Sequence, residues 1–175
     1  MTHMNITLKG ALNGLYKLFT KPAGDEETGL IQDLILIHKK TGLLIIHKSD
    51  IPSWKIKSRK ERGELISGML TAIKHFVEFV LTNSNSGGEL KEIKHSDCTI
   101  KINSKEHTVL AAVLPSDNEM PYDFDAILDE FHNELYEKFG EKLAQFDGDN
   151  SSYRIIGQDM RRLMQKFKFE RALTE

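Results

Sequence analysis

Histidines, one cysteine and a few paired acids are the side chains of this chain that could carry chemistry. His38 and His47 sit at the ends of two apolar runs, residues 34–37 and 43–46. Pairing those runs with Leu36 opposite Ile45 places His38 beside Leu43 and His47 beside Leu34, too far apart to share a metal. His95, Asp97 and Cys98 are close in sequence, but a zinc site needs a further Cys or His pair at ligand spacing. A Cys98-dependent enzyme would need an exposed, activated thiol, whereas Cys98 falls on the apolar side of its segment. Asp147, Asp149 and Ser151 occupy the first, third and fifth places of a calcium loop; Ser152 and Gln158 stand where that loop needs glycine and glutamate. A turn after a helix accounts for them better. The chain contains no Gly-x-x-x-x-Gly-Lys-Ser/Thr, no Gly-x-Gly-x-x-Gly and no Gly-x-Ser-x-Gly. No catalytic residue, cofactor or metal is expected.

The segment that organises the chain is 33–49, DLILIHKKTGLLIIHKS. Short apolar runs around Lys39-Lys40-Thr41-Gly42 read as a hairpin, with Gly42 supplying the positive φ of its turn. Apolar residues of both parities mean that both faces should be covered. Residues 61–82 carry the strongest helical period, through Leu65, Ile66, Met69, Leu70, Ile73, Phe76 and Val77. Ser67, Gly68 and Ala72 on this helix are small enough for close approach, by the sheet or by a second subunit.

Three strand candidates follow. Residues 89–95 are polar, 98–103 alternate with Cys98, Ile100 and Ile102 on one face, and 108–114 are apolar throughout. Putting the polar strand at an edge and the apolar ones in the middle orders an antiparallel sheet 2-1-5-4-3. Strand 43–47 then occupies the other edge. Its apolar residues Leu43 and Ile45, with His47, make it a candidate interaction edge. A helix from Asp123 carries the stripe Phe124, Ile127, Leu128, Phe131, Leu135, Phe139 and Leu143, with acids crowding its first turns.

The termini add a weak helix at 6–19 and a last helix at 157–173. The latter is basic and amphipathic, with Met160, Met164 and Phe167 apolar; it suits core packing, a partner helix or a membrane surface. Basic residues Lys55, Lys57, Arg59, Lys60 and Arg62, interleaved with Trp54 and Ile56, read as a solvated helix entry.

Composition bounds the function. The 175 residues carry a net charge of −2, which argues against general nucleic-acid or anionic-membrane binding. Neither a signal peptide nor a span of roughly 20 apolar residues is evident. A single cysteine permits no internal disulfide, and a cytoplasmic setting is expected.

Hairpin, long helix, three-stranded meander and long helix occur in that order in LILIHKKTGLLIIHKS, ELISGMLTAIKHFVEFV and the meander ending HTVLAAVLP. With these elements the chain resembles the roadblock/longin superfamily, whose α+β, profilin-like fold flanks a five-stranded antiparallel sheet with helices. The tail LAQFDGDNSSY resembles prokaryotic stand-alone members. The resemblance implies a domain over 30–150, with residues 1–29 and 151–175 as an N-terminal helix and linker and a C-terminal helical extension. It also implies a non-enzymatic interaction module, assembling through a helix and an edge strand as a homodimer. Family members bind small Ras-like GTPases or serve in vesicle tethering and trafficking; membrane contact would be indirect. On these grounds the protein-interaction residues are Leu43, Ile45, His47, Ser67, Gly68, Ala72, Met160, Met164 and Phe167. Profilin-like sheets also occur in small-ligand sensors, which would need a pocket between sheet and helices.

Overall fold

The computed structural model describes residues 30–51, 58–81, 89–116 and 123–172. The expected helix at 6–19, Trp54 and the basic residues Lys55 and Lys57 lie outside them. Strands β1 (Asp33–His38) and β2 (Leu44–Ser49) precede helix α1 (Arg59–Leu81). Strands β3 (Glu92–Lys94), β4 (Cys98–Ser104) and β5 (Thr108–Pro115) then lead to α2 (Phe124–Ala144), a 3-10 turn (Ser151–Tyr153) and α3 (Arg154–Ala172). The five strands form one antiparallel sheet in the order β2-β1-β5-β4-β3. The polarity argument thus holds, although the polar edge strand β3 is only three residues long.

The period of two divides the sheet between two cores. Ile35, Ile37, Cys98, Ile100, Val109, Ala111 and Val113 pack with Ile66 and Leu70 of α1. Leu34, Leu36, Leu110, Ala112 and Leu114 meet α2 and α3 on the other side. Central strands β1 and β5 are buried at every position, which is why their sequences are apolar without alternation. Met160, Leu163, Met164 and Phe167 of α3 are buried in the same cluster as Phe124, Leu128 and Leu135 of α2. Segment 151–172 therefore completes the main core, and Met160, Met164 and Phe167 pack inward instead of offering a surface.

Register departs from the expected pairing at one place. Leu36 lies opposite Ile46 and Ile37 opposite Leu44, so Ile45 is an extra residue in a β-bulge. The bulge turns Ile45 and Ile46 toward the same core, and it sets His47 beside Ile35 where Leu34 was expected. A bulge on an edge strand also kinks it against strand addition. Gly42 has φ +70° in the connecting turn, as expected.

Edge strand β2, expected to be a bare apolar edge, has a helix over each face. Helix α1 crosses one face so closely that a Cβ at Gly63 would lie 2.8–2.9 Å from the His47 ring and Cβ. Ser67 of the same helix donates to the Gly42 carbonyl at 2.7 Å. Helix α3 crosses the other face at Gly157, against Ile46 and the end of Lys48. Ile45 is consequently fully buried and only Leu43, at the turn, stays about half exposed (47%).

Substituting Gly63 by Ala should destabilise the fold by about 1–3 kcal/mol, because neither His47 nor the helix backbone can yield without strain. Gly68, whose Cβ would meet open space, should tolerate Ala and gain up to about 1 kcal/mol of helix propensity. Urea unfolding of both variants in dilute solution checks the contrast.

Candidate functional site

Two buried polar groupings hold the helices to the sheet, and the residues left outside define the candidate contact surface. The Asp33 side chain is fully buried at the start of β1, on the α1 side. Arg62 donates to both its oxygens, from Nη2 at 2.7 Å and from Nε at 3.3 Å, and His47 Nε2 donates at 2.8 Å. Burial would raise the Asp33 pKa. The hydrogen bonds from His47 and Arg62, with the guanidinium charge, outweigh it and hold the carboxyl below its ordinary value. One carboxylate thus ties together β1, β2 and α1. Arg62, expected in a solvated run, sits instead on the buried 62–66–70 stripe of the helix.

The second grouping lies under α2. His132 Nδ1 donates to Asn103 Oδ1 at 2.6 Å, leaving Nε2 to accept from the Thr108 hydroxyl at 2.8 Å. Asn103 in turn donates to Asp129 at 2.9 Å, and Asp129 accepts from Lys105 at 2.6 Å. Burial, with the nearby Lys105 charge, pushes the His132 pKa down to about 4. Lys101 bridges Glu92 (2.5 Å) and Asp125 (3.1 Å). The acids early in α2 are therefore bound to the sheet's lysines as well as complementing the helix dipole.

The sites weighed for chemistry resolve into structure. His38 Nδ1 is 2.8 Å from the Thr41 hydroxyl, and its ring meets Phe146 edge-on at 5.7 Å. Cys98 is buried with its thiol pushed up to about 11, mainly by desolvation and then by the Asp97 charge. Asp147 and Asp149 accept backbone N–H groups two residues on, from Asp149 at 3.0 Å and Ser151 at 2.9 Å, as turn residues do. No three potential metal ligands converge among the described residues. The cleft between the sheet and α1, lined by Ile37, Leu70, Thr71, Ile102 and Val109, has a volume of about 20 Å³, room for little more than a water.

Of the candidate interaction residues, Ile45, the His47 side chain, Ser67, Met160, Met164 and Phe167 are buried. Leu43, Gly68 and Ala72 face solvent. With Gly68 and Ala72, at helical steps of three and four, stands Leu65, 57% exposed. Sequence periodicity assigned Leu65 to the inner stripe, because Leu65 and Ile66 are adjacent apolar residues and only one can face the sheet. Asp33, Arg62 and His132 were also missed. Their signal was position: each is a polar residue in the inward register of an otherwise apolar stripe.

A five-stranded antiparallel sheet ordered 2-1-5-4-3, with a long helix joining hairpin to meander and helices on both faces, decides the architecture. The chain has a roadblock/longin-type fold. Among solved structures, MglB with a tetrameric arrangement is similar at a TM-score of 0.48 and 13% identity, over 77% of this chain and 90% of that chain. A Roadblock/LC7 domain from Streptomyces avermitilis gives 0.45 and 10%, over 65% and 85%. The gliding protein MglB from Thermus thermophilus gives 0.43 and 12%, over 77% and 88%. No protein-family model and no curated protein matches the sequence. Strand order and element succession, not these overlays, carry the roadblock/longin assignment.

Both groupings should appear in the pH dependence of stability. His132 takes up a proton more readily unfolded, near its ordinary 6.5, than folded, near 4. Its contribution is complete above about pH 6.5 and is lost as pH falls toward 4, by roughly 3 kcal/mol. His38, lowered by burial and the His107 and Lys40 charges, acts in the same direction. Asp33 is lowered, so its contribution persists above its ordinary 3.8 and is lost below it. Urea titrations between pH 7 and 3 should trace this fall, and His132→Gln should flatten its upper part. Arg62→Ala, which strands the Asp33 carboxylate, should cost about 3–5 kcal/mol at pH 7.

Proposed function

We propose that this chain is a non-enzymatic interaction module that dimerises through the outer face of α1 and binds a protein partner. The observation that supports it is the exposed stripe Leu65, Gly68, Ala72 on the longest helix. Leu65 is one of three large apolar residues exposed among the described ones, and the space over Gly68 is open. Small residues beside a protruding leucine let a second helix approach closely while burying that leucine. Leu43, the other exposed member of the candidate set, stands apart from this stripe, at the hairpin turn beside Gly148.

The partner class follows from the roadblock/longin resemblance, which supports a small Ras-like GTPase, or a trafficking-type protein, with this chain as scaffold or regulator. The chain carries no phosphate-binding loop of its own. On this reading the nucleotide belongs to the partner.

Light scattering after size exclusion at micromolar concentration, in about 0.5 M salt, should give twice the mass of the chain. Leu65→Asp should give the single-chain mass while changing stability by no more than about 0.5 kcal/mol, since Leu65 makes its main contacts outside the monomer. A wild-type chain that stays monomeric removes the dimer. Failure to bind any Ras-like GTPase of the same genome, in either nucleotide state, removes that partner.

A further inference from the structure

Helices α2 and α3 form an antiparallel pair over one face of the sheet. The start of α2 meets the end of α3 through Phe124 and Phe167, with ring centroids 5.3 Å apart. Just beyond α2, Phe146 packs on Tyr153 at 5.5 Å, and the Tyr153 hydroxyl donates to the Lys142 carbonyl at 2.8 Å. Both helices run about 30 Å at 1.5 Å per residue. Their outer faces carry opposite charge. On α2 the exposed charged residues clear of the sheet are Glu130, Glu134, Glu137 and Glu141 against Lys138 and Lys142. On α3, Arg154, Arg161, Arg162 and Lys166 are exposed, with Asp159 the one acid among its described side chains and bonded to Arg162 at 3.1 Å. A chain of net charge −2 has thus separated its charge into an acidic helix and a basic one, side by side.

We infer that the α2–α3 face is a second, electrostatic self-association surface, whose occupant is another copy of this chain. A two-fold axis parallel to the helices, midway between them at their solvent surface, sets α2 of each copy over α3 of the other. The facing helices then run antiparallel. The Phe124–Phe167 contact brings the start of α2 level with the end of α3, so Glu130 of one copy comes level with Arg161 of the other, with Arg162 one residue to one side and Glu134 about one turn to the other. Of the two α2 lysines, Lys142 lies in the last turn, and Lys138 pairs with Glu134 of its own helix at 4.0 Å. Helix dipoles are complementary in the same arrangement, the start of each helix lying over the end of the one it faces. Because the operation is a closed two-fold, each contact is made twice. Its contacts are exposed charge pairs, so the association should be weak, fast and strongly dependent on salt.

The surface is distinct from the α1 stripe on the opposite side of the sheet, and the test separates them by using Leu65→Asp throughout. In this background, sedimentation at about 0.02 M salt should give a doubled mass that returns to the single-chain mass at about 0.5 M, as the Debye length falls from roughly 20 Å to about 4 Å. Reversing either helix alone, Glu130→Arg with Glu134→Arg or Arg161→Glu with Arg162→Glu, should leave a monomer at low salt. An equimolar mixture of the two reversed proteins should restore the doubled mass, because each then presents one charge sign on both helices. All four residues are exposed, and unchanged melting curves verify folding. A single-chain mass at low salt, a doubled mass indifferent to either reversal, or a mixture that stays monomeric would overturn the inference.

Discussion

A carboxylate with no access to water, Asp33, is the constraint on which the rest of this molecule turns. Buried alone it would cost several kcal/mol; with Arg62 and His47 bound to both its oxygens, it becomes a three-way tie. It sets the height at which α1 crosses the hairpin. That height requires Gly63, since the His47 ring lies where a side chain would be. The same crossing carries Ser67 to the Gly42 carbonyl and aims Leu65, Gly68 and Ala72 outward. Ion-pair geometry inside the core thus determines which helix residues remain exposed.

Sealing of the sheet follows different chemistry on its two sides. Helix α1 closes one side with small residues and the Asp33 ion pair. Helices α2 and α3 close the other with aromatic and methionine side chains, supplemented by the His132–Asn103–Thr108 array. Close packing leaves about 20 Å³ in the cleft beneath α1. The described helices include none long and apolar enough to cross a membrane.

Much of this architecture was legible because period and polarity are local signals. The continuous apolar runs of β1 and β5 declared them central, the alternation in β4 declared its two faces, and Gly42 marked the turn. Strand order then followed from placing the polar strand at an edge. Three features depended on contacts that no local pattern encodes. The bulge at Ile45 is invisible where neighbouring residues are all apolar, so the register slipped by one. The choice between Leu65 and Ile66 for the inner stripe is settled by where Arg62 anchors the helix. The burial of Met160, Met164 and Phe167 depends on α3 folding back over β2, which an amphipathic helix does not by itself specify.

The proposed contact surface on α1 can be probed chemically because the native thiol, Cys98, is buried and its pKa raised. A single cysteine introduced by Ala72→Cys should be joined between two copies by a short bis-maleimide at micromolar protein in about 0.5 M salt, giving a covalent dimer in high yield. A chain that takes up the reagent at that position yet remains a single covalent chain would contradict the account, since the outward face of α1 would then be open to solvent in the assembled protein.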